Sequence, residues 1–198
     1  MQLGRNLHSA LKQLRYSNRP RRLWVDAVCI NQDDIDERNV QVMRMGATYS
    51  LATRVVIWLG SEAEDSTHTL STIADFGEQV EFTVEGFLAD APGASEPMWW
   101  NPSQQCHTTP ELGHLLTALL ARPWFSRVWV IQEALLGSRQ TIIQCGDAFI
   151  PWPPFRKAVL VMSQKEELPQ ELRNLTDTYR GNLLPRSHWS LFRLLLWT

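Results

Sequence analysis

The sequence predicts an α/β domain, a parallel sheet flanked by helices and interrupted by an inserted loop and helical excursion. Three observations predict it. Residues 23–30 and 53–60 are almost continuous runs of apolar, β-favouring residues, the pattern of strands covered on both faces. A helical segment with an acidic start lies between them, so strand, helix and strand form a βαβ unit with parallel pairing. Residues 81–110 hold four prolines and several Gly, Ser and Gln with little periodicity, as a long excursion would.

Composition bounds the class. The chain has 198 residues, 44% hydrophobic and 20% charged, and a folded chain of this size removes roughly 70% of its unfolded surface from water. One globular domain follows. The longest apolar runs, residues 115–121 and 194–197, fall short of the ~18 residues of a membrane span. The net charge of −2 hides three blocks, since residues 61–120 carry ten acids and no Lys or Arg while the flanking blocks are each +4. No sustained basic face exists, which disfavours nucleic acid as a partner. Three cysteines at spacings of 77 and 39 fit neither a disulfide framework nor paired zinc ligands, and a reducing, cytoplasmic location is expected. The basic, acid-free residues 1–25 share their composition with mitochondrial presequences, but their leucines run straight into a strand, as the first helix of a domain would. The Asn174-Leu175-Thr176 sequon, with no signal-peptide core ahead of it, is read as a chance match.

Taken in order, leucines at 3, 7, 11 and 14 predict a helix over 3–16. The strand 23–30 ends in Asn31-Gln32-Asp33-Asp34, where Asp34 and Glu37 form an acidic capping box for a helix reaching about residue 51. Its buried face should carry Val42, Met43, Gly46 and Tyr49. The second strand stops at Gly60, and a helix over 61–80 follows through Leu70, Ile73, Gly77 and Val80. A leucine-rich helix over 110–120 returns to the fold, residues 124–136 read as helix, 140–145 as strand, and the prolines at 151–154 open a further helix. Trp99 and Trp100 are expected to be exposed on the excursion, which itself should be mobile.

Among candidate functional residues, Asp26 lies inside an apolar strand, where a carboxylate needs a partner such as Arg21, Arg54 or Arg127, or a place at a cleft. Asn31, Gln32 and Asp33 follow the strand's carboxyl end, where open α/β sheets place ligands, and they serve equally as a polar turn and helix cap. Cys106, His107 and His114 match no zinc spacing. Ser61 lacks the glycines of a nucleophile elbow, and neither a dinucleotide nor a P-loop fingerprint occurs. No metal and no certain cofactor are expected.

Leu23-Trp24-Val25-Asp26-Ala27-Val28-Cys29-Ile30-Asn31-Gln32-Asp33, Glu37-Arg38, Val42-x-x-Met45, Val55-x-x-Trp58-Leu59-Gly60 and Arg122-Pro123-Trp124-Phe125-Ser126-Arg127-Val128-Trp129-Val130-Ile131-Gln132-Glu133 together resemble the fungal heterokaryon incompatibility (HET) domain over most of residues 5–150. The resemblance implies a cytosolic protein of filamentous fungi, of a family in which some members trigger cell death when genetically different hyphae fuse. It makes residues 1–150 a HET-like domain with an insertion at about 61–120, and residues 151–198 a helical extension of it. Family members open with a strand and a Tyr-Thr-Trp-Gly-like turn, and carry a downstream Asp-Pro-Arg-Asp-like stretch leading to an Ala-Leu-Leu-Gly-like run. Neither is found here, so a truncated, weakly active or inactive domain is expected.

The HET domain is in turn similar to TIR domains, flavodoxin-like parallel-sheet modules that act as assembly platforms and sometimes cleave NAD with a glutamate in a Trp-Cys-x-x-Glu motif. Trp129 and Glu133 match its first and last positions, while Val130 stands at the cysteine position. The resemblance implies two mechanisms. One is self-association or association with protein partners. The other is NAD cleavage, with NAD as substrate, Glu133 as the catalytic group and Asp26, Asn31 and Trp129 binding the nucleotide. Against catalysis stands the plain alternative that Glu133 pairs with Arg127 or Arg139 and Trp129 is core.

Overall fold

The structure is a computed structural model that describes residues 4–104, 109–127, 130–137, 140–168 and 170. Helix α1 (Arg5–Leu14) follows the leucine stripe, and an extended segment leads into a single helical turn, α2 (Asp26–Cys29). Helix α3 (Ile35–Leu51) starts where Asp34 accepts the backbone N–H groups of Asp36 and Glu37, both at 3.0 Å, which satisfies two of the donors a helix start leaves unpaired. The Glu37 carboxylate reaches past Asp34 to the Asn31 N–H at 3.0 Å, so the expected box closes one turn wider. Strand β1 (Val56–Trp58), helix α4 (Ser66–Glu78) and a hairpin of β2 (Val80–Phe82) and β3 (Leu88–Asp90) come next. Helix α5 (Pro110–Leu120) is capped by Thr109, whose hydroxyl accepts the Leu112 N–H. A 3₁₀ turn (Pro123–Ser126), α6 (Val130–Leu135), β4 (Ile142–Cys145), β5 (Ala148–Pro151) and α7 (Trp152–Gln164) complete the described chain.

The architecture is mixed α/β. The central sheet has the order β1-β4-β5 among the described residues. Val56 pairs in parallel with Ile142, and β4 turns into β5 antiparallel through Cys145 and Ala148. Ile57 and Ile143 point to one face and are buried. There α4 packs on α7, α5 and β5, and a run of aromatic contacts joins Trp124, Phe125, Trp152 and Phe155 at centroid distances of 5.0 to 6.2 Å. A Cβ added at Gly77 of α4 would lie 1.8 Å from the Pro154 carbonyl oxygen, so this packing requires glycine. Val56 and Trp58 face the other way, where the Trp58 indole N–H donates to Asn6 of α1 at 3.1 Å and Gln13 donates to Asp147 of the β4–β5 turn.

Four expectations are corrected. Residues 23–30 form no strand, so β1 takes its parallel partner from β4 and the early βαβ unit does not form. Without a neighbouring strand, that backbone satisfies itself locally, with the N–H groups of Val28 and Cys29 donating to the Val25 carbonyl at 2.9 and 2.8 Å. In α3 the inward residue is Met45, 4% exposed, whereas Val42 and Met43 are exposed. Residues 124–136 are broken by the 3₁₀ turn and an extended Arg127, because Pro123 favours a fresh start. Trp99 is 5% exposed rather than open, and its indole N–H donates to the Phe76 carbonyl at 2.7 Å. Lys165 fastens the same stretch, donating to the carbonyls of Trp99, Asn101 and Gln104.

Candidate functional site

A cleft of about 860 Å³ opens on the Val56 and Trp58 side of the sheet, between α1, the extended segment before α2, the end of α3 and the 3₁₀ turn. Its wall carries both acids and arginines: Asp26 and Glu133, with Arg21, Arg22, Arg54 and Arg127. Aromatic faces from Tyr16, Trp24, Tyr49, Trp58 and Trp124 fill the space between them.

Glu133 sits on α6 and is 9% exposed. A carboxylate so covered is retained only if its oxygens are satisfied. One oxygen accepts the Trp124 indole N–H at 2.8 Å, and the other lies 3.3 Å from the half-exposed Arg127 guanidinium. Tyr49, from α3, feels this arrangement. Burial pushes its hydroxyl well above the ordinary range, the negative charges of Glu133 and Asp26 push it further, and Arg127 opposes them. The phenol therefore stays protonated. Its ring also meets the edge of Trp24 at 6.1 Å.

The structure brings Glu133 and Asp26 to one cleft and leaves Asn31 out of it. Asp26, half-buried at the start of α2, accepts the Ala27 N–H at 2.7 Å, and no described arginine pairs with it. Asn31 is spent in the turn before α3, its side-chain oxygen accepting the Asp33 N–H at 3.2 Å. Trp129 and Arg139 lie outside the described residues, as do Cys106 and His107. The indole that holds Glu133 is that of Trp124, nine residues earlier, a partner that helical spacing does not reveal because the chain changes direction at Arg127. Arg122 is a second residue that sequence reasoning missed. It donates to the carbonyls of Leu59, Ser61 and Ala63 at 3.2, 2.9 and 3.2 Å, pinning the loop after β1, and only the adjacent Gly60, at φ +115°, hinted at so sharp a turn. Among the described residues, no group of three His, Cys, Asp or Glu is placed to hold a metal ion, and no helix is long and apolar enough to cross a membrane.

The fold and cleft thus define a small mixed α/β domain with a buried, arginine-paired carboxylate. Residues 1–133 match the family described as Heterokaryon incompatibility protein (HET), and the chain belongs to that family. It is also similar to "Heterokaryon incompatibility protein 6, OR allele" of Neurospora crassa, with 32% identity over 158 residues, covering 69% of this chain and 22% of that protein. The chain therefore corresponds to a minor part of that relative's length. No solved structure matches it.

Proposed function

We propose that this chain serves in fungal heterokaryon incompatibility, as the cell-death signalling domain of a cytoplasmic non-self recognition protein that works by TIR-like association. In this reading residues 1–150 are the working domain, with 151–198 as its extension. Family membership and the Neurospora crassa relative support the biological setting. The mechanism rests on one observation: Val40, Met43 and Leu51, which share one face of α3, are 40%, 78% and 85% exposed. Large apolar side chains grouped on one element are characteristic of surfaces that meet another protein. The test is sufficiency. Expressed in hyphae at a level that by itself leaves growth normal, the chain fused to a drug-induced dimeriser should arrest growth once the drug is added, and normal growth with the drug present would contradict the reading.

A second reading, hydrolysis of NAD between nicotinamide and ribose, is favoured by the meeting of Glu133 and Asp26 in one cleft. A carboxylate there could stabilise the positive charge that develops on the ribose as nicotinamide leaves and water adds. Glu133 is poorly free for that task, since Trp124 and Arg127 occupy its two oxygens. Nicotinamide release from NAD, measured for the native chain and for Glu133→Gln, decides it. Release that depends on Glu133 would establish the enzymatic reading, and equal release by both would remove Glu133 from it.

A further inference from the structure

Strand β1 ends the order of the central sheet, β1-β4-β5, and its far edge is open among the described residues. Along a ladder, successive residues turn their main-chain groups to opposite neighbours. Val55 and Leu59 turn theirs to β4, the Val55 carbonyl accepting the Ile142 N–H at 3.0 Å and the Leu59 N–H donating to the Gln144 carbonyl at 2.8 Å. Val56 and Trp58 therefore turn theirs away from β4, and their N–H and C=O groups find no main-chain partner among the described residues. Such an edge is a template for a further strand. It does not lie flat on the surface, because Val55, Val56 and Trp58 all line the cleft. The slot beside β1 is thus the cleft, walled on its other sides by α1, the extended segment before α2 and the end of α3.

Charge selects the occupant. Four arginines face two acids across the cleft, an excess of positive charge in a chain whose net charge is −2. Arg127 is engaged by Glu133 at 3.3 Å and Arg21 donates to the Leu14 carbonyl at 2.6 Å, but Arg22 and Arg54 are exposed and have no hydrogen bond or ion pair among the described residues. Tyr16 and Trp24, on the same wall, keep 42% and 38% of their surface open. We propose that the cleft is a strand-acceptor groove for an extended, acidic segment of a partner protein. The segment adds to the β1 edge through the main chain of Val56 and Trp58, sets its carboxylates on Arg22 and Arg54, and rests alternate apolar side chains on Trp24 and Tyr16. A second copy is a poorer occupant, since joining two β1 edges brings arginine against arginine. A small anion would satisfy the arginines and leave the main-chain groups of β1 unpaired. The groove is separate from the exposed face of α3 and rests on neither reading above.

Selection against the native chain from a phage library of random peptides about seven residues long tests the groove. The peptides recovered should combine β-branched or aromatic residues with Asp or Glu. The best of them, synthesised and titrated by calorimetry, should bind about tenfold more weakly or worse to the double variant Arg22→Glu, Arg54→Glu, whose circular dichroism melt should be unchanged because both side chains are exposed and unpaired. Main-chain pairing is read on the native chain. Methylating alternate amide nitrogens of the peptide in one phase should weaken binding about tenfold more than in the other, since only one phase faces β1, and amide exchange at Val56 and Trp58 should slow in the complex. Recovery of no peptide, an affinity indifferent to the arginine reversals, equal loss from both methylation phases, or unchanged exchange at Val56 and Trp58 would each overturn the groove. So would a cleft that selects no peptide yet takes AMP and loses it on the same arginine reversals. The dimeriser fusion and the nicotinamide assay judge the readings above separately.

Discussion

Trp124 joins the core to the cleft, stacking edge-on against Phe125 and Trp152 while its indole N–H holds Glu133. Trp124→Phe keeps most of the packing and leaves a buried carboxylate oxygen short of a donor, a loss of about 1 to 3 kcal/mol. The thermal midpoint should fall by several degrees, and an unchanged midpoint would show that Arg127 alone suffices. Tyr49 contributes to the pH dependence of stability on the alkaline side. The unfolded phenol ionises near its ordinary value of 10.0, while the folded one resists. Its contribution is therefore intact below about pH 10 and is lost as the pH rises above that value. Thermal midpoints followed from about pH 8 to about pH 11 should decline less steeply for Tyr49→Phe than for the native chain. At this scale, legibility depended on sequence distance. The Asp34 cap could be read because donor and acceptor are neighbours, whereas the Trp124–Glu133 bond could not, because an intervening turn redirects the chain.

Elements were legible where pattern and packing agree. Helix α5, with its proline start, and α7, opened by Trp152 and two prolines, stand where the sequence put them, because each buries one continuous face against the sheet's neighbours. The run 23–30 misled because apolar content describes a strand only if another strand lies beside it. Strand β5 was missed altogether, its four residues hidden behind Gly146 at φ +55°. Two outcomes follow. Amide exchange should be slow in β4 and α7 and fast at residues 23–29, and slow exchange at 23–29 would restore the strand. Gly77→Ala, which drives a methyl into the Pro154 backbone, should cost about 3 kcal/mol or more. Native-like stability of that variant in urea would show that α4 and α7 can separate without loss.

Across the whole molecule, the charge blocks set residues 61–120 apart as a sequence, yet the structure ties that stretch to the core through Leu70 and Ile73 of α4 and Leu116 of α5. The acidic stretch carries a hairpin and then returns Trp99 to the core, with the Lys165 ammonium over its ring at 4.7 Å. That anchor could not be read, because 66 residues separate Lys165 from Trp99. The opposite side of the molecule presents the cleft, and α3 presents its apolar residues. These features imply different ways of acting: in the proposed function the exposed apolar face of α3 acts, and the cleft carboxylate is architectural. The most direct measurement is growth of hyphae induced to express the native domain, Glu133→Gln or Met43→Glu, at matched protein levels. Arrest by the native domain and by Glu133→Gln is expected, with growth restored by Met43→Glu. Arrest that persists in Met43→Glu and disappears in Glu133→Gln would contradict the proposed function and make the cleft the working site.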